Sequence, residues 1–135
     1  MVNADGSAFA VIHNGREIGV VQWPMLGNHN VLNGLAALAA AQAVGVDIAK
    51  VIPSLVDFRS VKRRLEVIGV SNNITIYDDF AHHPTAIQTT LQGLRAKVGK
   101  ARIVVAMEPR SNSMRLGAHA EALAPSLDGA DAVVF

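Results

Sequence analysis

An apolar, β-branched run ending at Ile76 passes directly into Tyr77-Asp78-Asp79-Phe80-Ala81-His82-His83-Pro84-Thr85-Ala86-Ile87. Proline is favoured at the first helical position, so Pro84 marks a helix start. The segment is therefore a strand end feeding a helix, the place where open α/β sheets hold their ligands. Two carboxylates and two imidazoles between positions 78 and 83 are costly to gather there unless they bind something. The pattern around this segment repeats. Leu65 to Val70 reads as a strand, Asn72-Asn73 as a turn, Ile74 to Tyr77 as a strand and Pro84 to Lys97 as a helix. Arg102 to Met107 is a further strand whose continuous apolar run predicts a sheet covered on both faces. Gly117 to Leu127 reads as a helix weakened by Pro125, and Ala132 to Phe135 as the next strand. Alternating strands and helices predict an α/β fold: a Rossmann-like, mostly parallel sheet with flanking helices and right-handed crossovers.

The first part of the chain has a different character. Phe9 to His13 and Glu17 to Gln22 flank Asn14-Gly15, a strong hairpin signal, and Trp23-Pro24 ends that ribbon. His29 to Val44 reads as one Ala- and Leu-rich helix closed by Gly45. It is apolar nearly all round, which predicts burial over most of its surface. Asp47 is placed to cap a second helix reaching Phe58, kinked or delayed by Pro53. The change at Arg59 to Arg64 divides the chain into residues 1–57 and 58–135. Because the sequence stops inside its last strand, we expect a piece of a longer protein: the tail of one domain and the first two-thirds of another.

Half of the 135 residues are hydrophobic and 17% are charged, as in a globular protein. A net charge of +1 gives no overall pull toward nucleic acid or a membrane surface, so any basic function is local. The absence of cysteine suits a reducing cytoplasm. The stretch from Gly34 to Val46 is too short to cross a bilayer, and the N-terminus carries no secretory signal. A cytoplasmic protein that binds neither nucleic acid nor membrane is expected.

Four polar constellations carry the chemistry, and each also has a plain reading. Gly27-Asn28-His29-Asn30-Val31-Leu32-Asn33 opens the long helix, where Asn28 suits a cap. Asn30 and Asn33 lie on one helical face and are poor helix residues unless their amides have partners; an amide pair can read a purine edge. Lys62-Arg63-Arg64-Leu65-Glu66 could be a solvated basic run. Strand alternation would instead send Arg63 to one side and Lys62 with Arg64 to the other, so that one fork aims at a phosphate. Asp78, Asp79, His82 and His83 fit a metal site, an acid–base pair, a ribose-binding acid, or merely an Asp cap beside exposed histidines. Glu108-Pro109-Arg110-Ser111-Asn112-Ser113-Met114-Arg115 is either a polar loop or a site for a carboxylate-bearing ligand.

Together these motifs resemble the Mur ligase family, the ATP-dependent amide-forming enzymes of peptidoglycan assembly, over nearly the whole chain. The Tyr77–Thr85 and Glu108–Gly117 segments look most like members that join UDP-N-acetylmuramate to the tripeptide L-alanyl-γ-D-glutamyl-meso-diaminopimelate in murein recycling. Members adding L-alanine share the Asp-Asp and His-His-Pro elements but carry a His-Arg-Tyr type of sequence in place of Arg110-Ser111-Asn112. The resemblance implies that residues 1–57 end a central ATPase domain and that 58–135 form most of a Rossmann-like C-terminal domain. It implies that His29, Asn30 and Asn33 sit at the adenine, that Asp79 binds ribose and that His82 lies close to the nucleotide. It further implies that Arg64 is a catalytic residue reaching the γ-phosphate, and that Arg110, Ser111, Asn112 and Arg115 meet the incoming peptide. ATP and Mg2+ are the implied cofactors. No Gly-x-x-Gly-Lys-Thr loop occurs here, and the resemblance implies that the magnesium ligands, the modified lysine and the UDP site lie upstream. No metal ligand is therefore assigned in this chain, and by itself it is expected to neither hydrolyse ATP nor ligate. Addition of L-alanine, a stand-alone nucleotide-binding module, and a metal-dependent hydrolase using Asp78, Asp79, His82 and His83 are the competing expectations.

Overall fold

The computed structural model describes the whole chain, Met1–Phe135. It forms two compact units, Met1–Ser60 and Val61–Phe135, each with its own core.

In the first unit, β1 (Ala8–His13) and β2 (Arg16–Gln22) pair antiparallel around Asn14 and Gly15, at φ 50° and 76°. Left-handed backbone at both central positions is what a two-residue hairpin needs, and Asn-Gly provides it at little steric cost. Phe9, Val11 and Val21 of the ribbon pack with Val31 and Leu38 of α1 (Asn28–Ala43), together with Ile48 and Ile52. The helix comes close because Gly34 has no side chain: a Cβ there would stand 2.7 Å from Cη2 of Trp23 and 3.4 Å from Cζ of Phe9. Those two rings meet edge to face, with centroids 5.5 Å apart, and neither can retreat cheaply. Gly34→Ala gains helix propensity of about 1 kcal/mol but overpacks by about 1–3 kcal/mol. The expected net loss of about 1 kcal/mol lowers the melting midpoint by about 5 °C, which calorimetry of the variant would reveal.

Gly45 ends α1 as expected. At φ 88° it lies just past the last helical residues, its N–H donates to Gln42 O at 2.9 Å, and the Val46 N–H donates to Ala41 O at 3.1 Å. The expected burial does not follow. The hairpin and the short helices after α1 cover one side only, so Val31, Gly34 and Leu38 are buried while Leu32 is 59% and Leu35 36% exposed. The second expected helix is also broken. Asp47 caps α2 (Ile48–Val51), its Oδ1 accepting from Ala49 N at 3.2 Å, but Ile52–Asp57 is a 3-10 turn. Pro53 lacks the N–H that would continue the α-helical ladder.

In the second unit, β3 (Glu66–Ser71) and β4 (Ile74–Asp78) form an antiparallel hairpin through Asn72 and Asn73, at φ 49° and 62°. The chain then enters α3 (Pro84–Val98), β5 (Val104–Ala106), α4 (Asn112–Arg115), α5 (Ala120–Ser126) and β6 (Ala132–Val134). Ile87, Leu91 and Leu94 recur at helical spacing along one face of α3 and pack with Ile103 and Leu127. β5 and β6 pair in parallel across α5. The α/β class stands, but the parallel sheet is not continuous. β4 bonds to β3 and not to β5, and a cavity of about 690 Å³ lined by both strands lies between them. A helix of 15 residues joins β4 to β5, yet the two strands share no ladder, so alternation of strands and helices does not by itself make them partners. Nor is β5 covered on both faces: Val104 is 55% exposed. Gly117, expected to start a helix, instead stops α4 at φ 74°, with its N–H donating to Met114 O at 3.1 Å. The next helix begins three residues later, at Ala120.

Candidate functional site

The basic run at the start of the second unit is a turn, not a strand, so alternation does not sort its arginines. Arg63 and Leu65 both adopt left-handed backbone, at φ 62° and 48°, a conformation that L side chains disfavour. Several contacts hold them there. The Arg63 N–H donates to Glu66 Oε2 at 3.0 Å, and Arg63 O accepts from Phe80 N at 2.9 Å. Arg63 Nε lies 3.3 Å from Asp78 Oδ2, and its guanidinium sits 5.0 Å from the centre of the Phe80 ring. Leu65 N donates to Asp79 Oδ2 at 2.8 Å. Arg63 is thus committed to structure. Arg64, between the two strained residues, is exposed and makes no hydrogen bond or ion pair. Of these two arginines, Arg63 has side-chain partners and Arg64 has none.

Asp79 and His82 lie on the same turn. The other carboxylate oxygen of Asp79 accepts from Ala81 N at 2.8 Å, so the side chain ties β4 to the entry of α3 and to Leu65. The His82 ring meets that of Phe80 at a tilt, with centres 4.8 Å apart and Nδ1 2.9 Å from Phe80 O. A carbonyl only accepts, so in this contact Nδ1 carries the proton. The cap of α3 is His83, not an aspartate: its Nδ1 accepts from Thr85 N at 3.3 Å. Asp78, Asp79, His82 and His83 thus go to different partners, and no group of three or more His, Cys, Asp or Glu side chains comes together to hold a metal ion. The residues present do not fit a divalent-cation site.

In the first unit, His29, Asn30 and Asn33 occupy the first turns of α1. Asn30 Nδ2 donates to Leu26 O at 2.7 Å, and its Oδ1 accepts from Asn33 Nδ2 at 3.4 Å. The two amides are therefore linked, and the carbonyl end of the exposed Asn33 amide has no partner. In the second unit, Ser111 caps α4 through a 3.3 Å bond from Met114 N, and Arg110 pairs with Glu108 at 3.6 Å between largely exposed side chains. Asn112 and Arg115 are exposed on α4 and unpaired. The sequence reading missed Glu66, whose carboxylate closes the Arg63 turn; its position three residues after Arg63 was the one available signal.

Comparison with known proteins places the chain in a class. Residues 63–135 match the family described as Mur ligase, glutamate ligase domain, and the chain belongs to the Mur ligase family. Its sequence is 50% identical over 133 residues to the UDP-N-acetylmuramate–L-alanyl-γ-D-glutamyl-meso-2,6-diaminoheptandioate ligase of Haemophilus influenzae, covering 98% of this chain. The chain spans 29% of that relative's length. Among solved structures, a murein peptide ligase of Psychrobacter arcticus is 45% identical, with a TM-score of 0.63 covering 98% of this chain and 28% of that one. The UDP-N-acetylmuramate–alanine ligase of Thermotoga maritima is 31% identical, with a TM-score of 0.80 covering 98% of this chain and 31% of that one. No helix is long and apolar enough to cross a membrane.

Proposed function

We propose that this chain is part of an ATP-dependent amide ligase that joins UDP-N-acetylmuramate to L-alanyl-γ-D-glutamyl-meso-diaminopimelate in murein recycling. The observation carrying this reading is the higher sequence identity, over nearly the whole chain, to relatives named for that tripeptide than to the alanine-adding ligase. Fold likeness does not separate the two, because both share the architecture. In such a reaction the lactyl carboxylate is activated as an acyl phosphate, and the peptide's free amine displaces phosphate to form the amide. The protein's tasks are to orient the reactants and to neutralise charge that develops on the phosphoryl group.

Roles follow for the residues described. Asn30 and Asn33, linked to each other, offer an amide edge to adenine, with His29 beside them. Asp79 keeps lone pairs free for ribose hydroxyls beyond its two backbone bonds, with His82 at hand. Arg64 meets the transferred phosphoryl group. Arg110, Asn112 and Arg115 offer charge and hydrogen bonds to a peptide bearing several carboxylates, while Ser111 shapes their loop. Magnesium belongs to ligands elsewhere in the polypeptide, as do the phosphate loop and the UDP-sugar site. On this reading the chain by itself turns over no ATP, and its setting is the cytoplasm, where nucleotide-activated sugars and ATP are found. An assay of the ligase polypeptide with UDP-N-acetylmuramate and ATP, offering L-alanine and the tripeptide in competition, is expected to give the tripeptide adduct. Alanine incorporation would keep the nucleotide roles and overturn the peptide assignment.

A further inference from the structure

Arg64 has no side-chain partner, yet both of its neighbours are held in left-handed backbone. A turn strained at two non-glycine positions persists only where its surroundings over-determine it, and such strain gathers at functional sites. Most of the contacts around it also serve other ends. Asp79 ties β4 to α3, Phe80 N donates to Arg63 O from the strand exit, and Asp78 meets the Arg63 side chain rather than its backbone. Glu66 is different. It opens β3 directly across from Asp78, an acid facing an acid, which is unfavourable for a strand pair. Its carboxylate turns back and accepts the Arg63 N–H at 3.0 Å, closing a short loop that contains Arg64. Arg63 relieves the pair by answering both acids, its amide to Glu66 and its guanidinium to Asp78.

We propose that Glu66 is a positioning residue for Arg64: by clamping the Arg63 amide it presents the free guanidinium in one direction, toward the transferring phosphoryl group. This rests on the role given to Arg64 in the proposed reaction. Without that clamp the Arg63 amide is released and Arg64 is aimed less closely, and a misplacement of about 1 Å at a reacting group costs up to about 100-fold in rate.

The test is a double-mutant cycle in the ligase polypeptide, with thermal unfolding of every variant as the control for folding. Glu66→Ala is expected to lower kcat about 10-fold or more while the KM for ATP stays within about twofold. Glu66→Gln, which keeps an oxygen acceptor for the Arg63 N–H, is expected to recover most of that loss. In an Arg64→Ala background, Glu66→Ala is expected to cost less than about twofold further, because there is no guanidinium left to position. Full additivity in that background, or a crippled Arg64→Ala enzyme beside a Glu66→Ala enzyme of normal kcat, would overturn the positioning role alone. An Arg64→Ala enzyme of normal kcat would overturn the role of Arg64 and the positioning role with it.

Discussion

Arg64→Ala is expected to lower kcat of the ligase by about 100- to 1,000-fold while leaving the unfolding midpoint unchanged. The two halves of this expectation have different grounds. Arg64 is exposed and unpaired, so its removal costs the folded chain no side-chain hydrogen bond or ion pair. A preorganised donor aimed at developing charge is worth about 2.7–4 kcal/mol in the transition state, which is the stated rate loss. Arg64→Lys is expected to recover only part of it, because an ammonium lacks the planar fork that meets two phosphoryl oxygens at once. Arg63 should behave in the opposite way. Its guanidinium is spent on Asp78 and Phe80, so alanine there loosens the β3–β4 entrance before it touches chemistry. Steady-state kinetics beside calorimetry on the Arg64 variants separates the two arginines. A kcat within threefold of the parent for Arg64→Ala would remove this residue from the reaction.

That the two arginines differ in their partners was not legible in the local pattern, and the reason is physical. Left-handed backbone announces itself through Gly or Asn: Asn14-Gly15 and Asn72-Asn73 were read as turns, and both are. Arg63 and Leu65 carry no such signal, since their conformation is imposed by Glu66, Phe80 and Asp79 rather than by their own preferences. The same distinction runs through the fold. Gly45 as the end of α1 and Pro84 as the start of α3 are local effects and were readable. Whether α1 is buried all round depends on what lies against it, and whether β4 pairs with β5 depends on how the elements around both strands pack. Neither is a property of those segments alone. At the candidate site, the grouping of Asp79 and His82 on one strand-to-helix turn followed from the chain's local order. Their actual partners, backbone amides and a carbonyl, required the folded structure.

Arg95 carries the largest expected effect on stability. From the last turn of α3 its Nη1 donates to Gly99 O at 3.0 Å and Ala101 O at 2.6 Å, and its Nη2 to Gly129 O at 3.1 Å. Nη2 also reaches Asp131 Oδ2 at 2.7 Å, and that oxygen accepts the Ile103 N–H at 2.7 Å. One guanidinium thereby joins the end of α3 to the starts of β5 and β6. The three carbonyl bonds alone are worth about 2 kcal/mol after exchange with water, so Arg95→Leu is expected to lower the melting midpoint by about 10 °C. Arg95→Lys should fare little better, because a single ammonium cannot span four acceptors. The pH dependence follows from the same cluster. The Ile103 amide first, and Arg95 after it, hold the Asp131 carboxyl below its ordinary value of 3.8, against a smaller opposing effect of desolvation. A lowered acid binds fewer protons folded than unfolded, so its contribution is complete above 3.8 and is lost as the pH falls below that value. Asp131→Asn is therefore expected to melt below the parent at neutral pH and to converge with it in acid. Melting midpoints followed from about pH 7 to about pH 2 test this, and parallel curves for parent and variant would show that Asp131 does not bind its partners in the ionised form.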